Sequence, residues 1–198
     1  MFVSFEGVDG SGKTTQARLL EHHLAGLGRE VIATREPGGT ELGERVRALL
    51  LDGPQISPWA EAALFAAARA EHAEEVIRPA LARGADVVCD RFVDSSLAYQ
   101  GIARGLGLEP VLELNLTVLG GLLPDRTFVL AVDATAAAGR REGEPDRIEQ
   151  EGDRFQAEVG RAYEELARRF PERVELLNGS LSPEQLAATV QARVAELL

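Results

Sequence analysis

Lysine is almost missing from this sequence: of its 21 basic residues only Lys13 is a lysine, and all the others are arginine. Basic charge as a whole is also short, since 32 acidic residues leave a formal net charge of −11. That balance excludes a broad basic face able to neutralise a nucleic-acid backbone or an anionic membrane surface. Any recognition of phosphate must be local and made by a few placed cations. Cysteine is equally scarce. Cys89 stands alone in an apolar run, can form no internal disulfide, and fits a reducing cytoplasm. No apolar run approaches the roughly 20 residues that span a bilayer, and no signal-peptide pattern precedes the first apolar segment. The three histidines, His22, His23 and His72, fall in helical patterns without ligand-like company and read as surface or packing residues. Trp59, following Pro58, reads as a packing residue, and no Ser–His–Asp or Cys/His set rises above background.

What is present is an ordinary globular composition, with 45% hydrophobic and 27% charged residues over 198 positions. The length suits one domain, with residues 134–150 as a candidate lid. Apolar runs at residues 2–6, 30–34, 85–90, 127–133 and 173–177 read as strands, and the segments between them carry helical periodicity. Pro79 is expected to kink or divide the long helix that precedes the third strand. Strands alternating with helices predict an α/β fold with a five-stranded, mostly parallel sheet covered on both faces. Ligands then belong at the carboxyl ends of the strands.

The first strand runs into Gly7-Val8-Asp9-Gly10-Ser11-Gly12-Lys13-Thr14, and a helix follows, marked by Ala17, Leu20, Leu24 and Leu27. Strand, glycine loop and helix in this order make the G-x-x-x-x-G-K-[ST] pattern a phosphate site of the P-loop NTPase kind. Glycines let successive N–H groups face phosphate oxygens, and the helix N-terminus adds partial positive charge. Lys13 can reach the terminal phosphates and the Thr14 hydroxyl can ligate Mg²⁺. The sole lysine thus sits where a compact ammonium, and not a planar fork, is required.

Asp90 closes the third strand, where a carboxylate can face Mg²⁺, and Asp133 closes the fourth in the same way. Position alone does not choose between them. Arg91 favours Asp90, because a carboxylate beside an arginine suits a magnesium–phosphate pair. The run Thr34-Arg35-Glu36-Pro37-Gly38-Gly39-Thr40 follows the second strand, and Arg140, Arg141 and Arg147 cluster in or near the candidate lid.

These residues resemble the thymidylate kinases, a family within the nucleoside-monophosphate kinase group of P-loop proteins. The resemblance is carried by Phe5-Glu6-Gly7-Val8-Asp9-Gly10-Ser11-Gly12-Lys13-Thr14-Thr15-Gln16, by the Arg35-Glu36-Pro37-Gly38-Gly39-Thr40 run, by Asp90-Arg91-Phe92 with Ser95-Ser96 and Ala98-Tyr99-Gln100-Gly101, and by Asp146-Arg147-Ile148-Glu149. The phosphate loop is widely shared, whereas the second and third stretches are far more specific.

The resemblance implies transfer of the ATP γ-phosphoryl group to dTMP with Mg²⁺, in a cytoplasmic enzyme that is usually a homodimer and has no nucleic-acid or membrane partner. It implies that Lys13 and the amides of residues 7–15, Thr15 included, hold the ATP phosphates, with Thr14 and Asp90 at the metal. Asp9 would face the dTMP sugar and phosphate, Arg35 and Arg91 would grip the acceptor phosphate, and Phe65 would stack on the base. Arg69, Ser96 and Gln100 would hydrogen-bond that base, and Tyr99 would exclude a ribose 2′-hydroxyl. Glu36–Pro37 lies where the family places a cis peptide. Some relatives carry an arginine in the loop where this chain has Gly10, so Arg140 or Arg141 is expected to stabilise the transferring group. Arg147 is carried with the ATP-binding set as the next candidate.

Three competing readings are weighed. A different nucleotide kinase, acting for example on dCMP, AMP or a nucleoside, would keep the loop and change the residues around Phe65–Arg69 and Ser96–Gln100. A GTP switch using an Asn-Lys-x-Asp element is impossible with one lysine. A nucleotide-binding regulator without turnover is disfavoured by Asp90 and Arg91.

Overall fold

The computed structural model describes residues 1–132, 137, 139 and 146–198. Five strands form one parallel sheet: β1 (Phe2–Glu6), β2 (Val31–Arg35), β3 (Asp86–Asp90), β4 (Arg126–Ala131) and β5 (Val174–Asn178), in the order β2-β3-β1-β4-β5. β1 is therefore central, pairing Phe5 with Asp90 on one side and Phe128 on the other. Its carboxyl end opens beside those of β3 and β4, where the chain direction of winding reverses, and this places the phosphate loop in the crevice that such sheets use for ligands.

Alternation along the strands separates two cores. Val3 and Phe5 of β1, Val88 of β3, and Phe128 and Leu130 of β4 face helices α1 (Lys13–Gly26) and α8 (Pro183–Ala195), which contribute Leu20, Leu24, Leu186, Val190 and Val194. The opposite face carries Phe2, Val87, Cys89 and Val129. It is covered by α3 (Pro58–His72), α5 (Val93–Ser96), α6 (Leu108–Leu119) and α7 (Asp153–Arg169). Ser4 and Glu6 share this second face of β1 and are fully buried, so polar groups are built into its centre. Ser4 Oγ lies 2.9 Å from Thr127 Oγ1, which donates to Asp94, and Arg173 closes the group with two bonds to Asp94 at 2.6 and 2.8 Å.

Helix starts follow their sequence signals. Thr40 caps α2 (Glu41–Leu51) by accepting from Gly43 N, and Ser57 caps α3 ahead of Pro58. Ser182 and Gln185 form a reciprocal capping box at α8. Pro79 does not divide the long helix. The chain widens into a π-helical segment over Ala73–Ile77 and resumes as α4 (Arg78–Ala82), so the turn before the proline absorbs its missing N–H. A second π-helical segment, Leu97–Ala103, follows α5. Trp59, expected to pack, is 48% exposed at the start of α3, because that first turn lies at the edge of the molecule.

Candidate active site

The phosphate loop lines a cleft of about 850 Å³ together with Arg35, Arg47, Asp90 and Arg91, and its far end is formed by Gln16, Gly179, Leu181, Pro183 and Leu186. A smaller cavity of about 100 Å³ adjoins it, walled by Pro37, Leu51, Phe65, Ser95, Ser96, Tyr99, Gln100 and Ile148. Asp9, Glu36, Arg47 and Arg91 line both. These four mark the junction at which a group could pass from one ligand to another.

In the loop, Gly12 adopts a left-handed conformation (φ 95°) directly before α1, so the helix amides open onto the cleft. Gly10 (φ 83°) is packed against the chain further on, where an added Cβ would lie 2.2 Å from the Ala137 carbonyl oxygen. Lys13 Nζ donates to the carbonyls of Gly7 (3.1 Å) and Val8 (2.9 Å) and lies 3.8 Å from Asp9. Burial, aided by the Arg91 charge, brings its pKa down to about 8. Thr14 Oγ1 donates to Asp90 Oδ2 across 2.5 Å, joining the first turn of α1 to the end of β3. Two hard oxygen donors side by side on the cleft wall suit Mg²⁺.

Arg91 follows at once, with φ 70°, and is the one non-glycine residue with positive φ among the described residues. The left-handed turn throws its side chain back across the junction. There Nη2 meets Asp9 Oδ1 at 2.5 Å, and the guanidinium lies over the Tyr99 ring, 5.4 Å from its centroid. Although burial opposes it, the Asp9 charge holds Arg91 firmly in its charged form. Cys89 is buried, its thiol pushed well up by desolvation and donating to the Arg91 carbonyl, so it is no nucleophile.

Arg35 lines the large cleft and is half exposed, in a two-bond pair with Glu44 at 2.9 and 3.0 Å. Such an exposed pair is worth little and can be exchanged for a phosphate. Glu36–Pro37 is cis, as the family resemblance implies. Phe65, Pro37, Ser96, Tyr99 and Gln100 all line the small cavity.

Arg69 stands behind that wall, 1% exposed. Its Nε donates to Glu36, Nη1 to Ser96 and Asn115, and Nη2 to the Phe92 carbonyl, leaving one of a guanidinium's five hydrogens uncommitted. Arg147, expected with the ATP-binding set, lines neither cavity. It turns inward, donating from Nη2 to Glu61 (2.7 Å) and from Nε to the Leu50 carbonyl (2.7 Å), because Glu61 offers a buried carboxylate. Burial would raise the Glu61 pKa, but bonds from Arg104, Gln100 and Arg147 outweigh it and hold the group below its usual range. Arg140, Arg141, Asp133 and most of the expected lid, residues 133–136, 138 and 140–145, lie outside the described residues.

Several site residues gave no sequence signal. His72, read as packing or surface, is fully buried and bridges Glu36 (Nδ1, 2.9 Å) to Thr34 (Nε2, 2.7 Å), tying α3 to the end of β2 that carries Arg35. Arg47 donates to the Pro37 carbonyl at 3.0 Å and lines both cavities. Its place one helical turn beyond Gly43, on the side that faces Pro37, was the only available hint. Gln16 belonged to the quoted motif but had no assigned role; its Nε2 reaches the Pro183 carbonyl, fixing the far end of the cleft.

A cleft at the carboxyl ends of parallel strands, floored by a glycine loop and opening into a second cavity, defines a P-loop nucleotide-binding protein built for two ligands. Residues 5–190 match the family described as Thymidylate kinase. Thymidylate kinases of Bifidobacterium longum subsp. infantis and Symbiobacterium thermophilum are each 47% identical to the whole chain, over 87% and 94% of their own lengths. The crystal structure of thymidylate kinase from Ehrlichia chaffeensis superposes with a TM-score of 0.76 at 37% identity, over 89% of this chain and 91% of that one. The chain belongs to the thymidylate kinase family.

Proposed function

We propose that the chain transfers the γ-phosphoryl group of ATP to dTMP, giving dTDP and ADP. The observation that carries this reading is the junction: Asp9, Glu36, Arg47 and Arg91 border both the phosphate-loop cleft and the smaller cavity that holds Phe65, Tyr99 and Gln100. The donor lies along the large cleft, its triphosphate on the loop amides and Lys13 and its base towards Gly179, Leu181 and Pro183. The acceptor base enters the small cavity against Phe65. There Gln100 donates its amide N–H to Glu61 (2.9 Å), which leaves its carbonyl oxygen to accept from the base, while Ser96, held by Arg69 from behind the wall, offers its hydroxyl hydrogen. Tyr99 fills the space beside the sugar, favouring a deoxyribose.

Phosphoryl transfer asks little covalent work of a protein, so placement and charge carry it. Arg91, Arg47 and Arg35 bring the acceptor phosphate to the junction, Asp9 orients the sugar side and restrains Arg91, and Lys13 offsets charge on the donor. Thr14 and Asp90 would hold Mg²⁺, which supplies charge neutralisation across the donor phosphates. Arg140 or Arg141 is the proposed source of the arginine that meets the transferring group.

No helix among the described residues is long and apolar enough to cross a membrane. We propose a cytoplasmic homodimer, supported by the unpaired thiol and by exposed Leu42, Leu49 and Trp59 on the adjacent helices α2 and α3. Coupled ADP release with ATP and Mg²⁺ against dTMP, dUMP, dCMP and AMP tests the acceptor. Faster turnover of dCMP or AMP than of dTMP overturns it.

A further inference from the structure

Behind Arg91 lies a fully buried carboxylate that the phosphoryl-transfer scheme does not use. Glu6, at the end of β1, is 0% exposed, and each of its two oxygens has a separate task. Oε1 accepts from the backbone amides of Phe92 (2.8 Å) and Ser95 (3.2 Å). Those amides belong to the turn that follows the left-handed Arg91, so the carboxylate pins the backbone on the side of the strained residue. Oε2 accepts from two hydroxyls, Ser95 Oγ at 2.6 Å and Tyr163 OH at 2.8 Å. Both hydroxyls also receive an N–H from Arg91 Nη1, at 3.1 and 3.4 Å, and they lie 3.1 Å from each other.

The direction of these bonds is fixed by the groups at the ends. A guanidinium only donates, and the ionised Glu6 carboxylate, the form that prevails above about pH 7, only accepts, so in that form each hydroxyl between them accepts from Arg91 and donates to Glu6. One nitrogen of the guanidinium is thereby held from the rear, and the other, Nη2, faces Asp9 at the junction. Tyr163 is 2% exposed on α7 and lines neither of the two cavities at the junction, so its hydroxyl reaches them only through its partners Arg91 and Ser95. Asp94 acts on Glu6 as a nearby like charge, and Arg91 is the cation that offsets it.

We propose that Glu6, through the hydroxyls of Ser95 and Tyr163, is a positioning residue that sets the Arg91 guanidinium for the acceptor's phosphate. It thereby governs discrimination between a phosphorylated and an unphosphorylated nucleoside. The inference rests on the reading of Arg91 as an acceptor-phosphate contact.

The decisive variant is Tyr163→Phe, which removes one hydroxyl, keeps the ring in the core and leaves the Glu6 backbone bonds in place. Titration calorimetry with dTMP and with thymidine separates phosphate recognition from base recognition. In Tyr163→Phe the dTMP affinity falls roughly five- to tenfold while thymidine binding and the KM for ATP stay unchanged, the scale of one ordinary hydrogen bond lost. Glu6→Gln produces the same selective loss, at least as large. In an Arg91→Lys background, which cannot reproduce the forked contact, Tyr163→Phe has no further effect on dTMP. Equal losses for dTMP and thymidine, or an undiminished Tyr163→Phe effect on top of Arg91→Lys, overturn the relay. An unchanged dTMP affinity in Arg91→Lys alone overturns instead the placement of Arg91 at the acceptor phosphate. Should Glu6→Gln fail to fold, the Tyr163 cycle decides the question by itself.

Discussion

Thr14 Oγ1 and Asp90 Oδ2 lie 2.5 Å apart, although 76 residues separate them in the chain. The bond brings the hydroxyl behind the phosphate loop onto the carboxylate at the end of β3, and it forms only because β1 and β3 are parallel neighbours with Phe5 opposite Asp90. Asp90→Asn keeps the shape of this pair and removes the negative charge with which it would hold a divalent cation. Turnover is expected to fall about a hundredfold or more, with dTMP binding unchanged, and chelation of Mg²⁺ is expected to abolish turnover of the parent enzyme. Steady-state kinetics with dTMP calorimetry checks both.

Lys13 gives a pH signature. Its ammonium titrates near 8 in the unliganded protein because burial and the neighbouring Arg91 disfavour the charge. The charged form exists below that value, so kcat/KM for ATP is expected to hold at neutral pH and fall as pH rises through about 8. Lys13→Arg is expected to fold normally and lose about two orders of magnitude in turnover, since the longer fork cannot occupy the space between the Gly7 and Val8 carbonyls. Near-native turnover in that variant would sink the assignment.

Glu6 makes the reverse prediction for stability. Burial, with Asp94 adding repulsion, raises its pKa from 4.5 to about 7 in the folded chain. A carboxyl whose pKa rises on folding favours the folded state below pH 4.5, and that advantage is lost as pH climbs through 7. The loss amounts to about 3 kcal/mol. Urea denaturation of parent and Glu6→Gln proteins at pH 5 and pH 8 is expected to show the parent losing ground to the variant between those values. Parallel curves would refute it.

The arginines near the lid separate by phenotype. Arg147 holds Glu61 and the Leu50 carbonyl from within the protein. Arg147→Ala is therefore expected to cost about 3 kcal/mol of stability, as when one partner of a buried pair is removed. Arg140→Ala combined with Arg141→Ala is expected to leave the melting temperature and dTMP affinity alone and lower kcat strongly, as for an interaction made in the transition state. A double variant with full kcat would place the catalytic arginine elsewhere.

The sheet was legible because each strand is a short apolar run closed by turn residues, and all five fall within a residue or two of their expected limits. The loop was legible because its chemistry is local. The relay behind Arg91 was not, since Glu6 and Tyr163 are 157 positions apart and neither belongs to a pattern that names a partner. His72 was legible only as a surface or packing residue for a related reason: helical periodicity tells which face is buried but not that Glu36 and Thr34 wait there with an acceptor and a hydroxyl. Arg147 lay beside the acidic Asp146 and Glu149 in sequence, yet its true partner is Glu61 on α3. In each case a buried polar group chose its partner by tertiary proximity, which spacing cannot show.

The contact between Gly10 and Ala137 limits how parts of this family can be exchanged. With 2.2 Å between a would-be Cβ and the carbonyl oxygen, the loop and the chain that follows β4 are fitted to each other as backbone, with no side chain available to yield. A chimera that imports a phosphate loop bearing arginine at position 10 must import the matching stretch near residue 137 as well, although each piece is sound in its own parent.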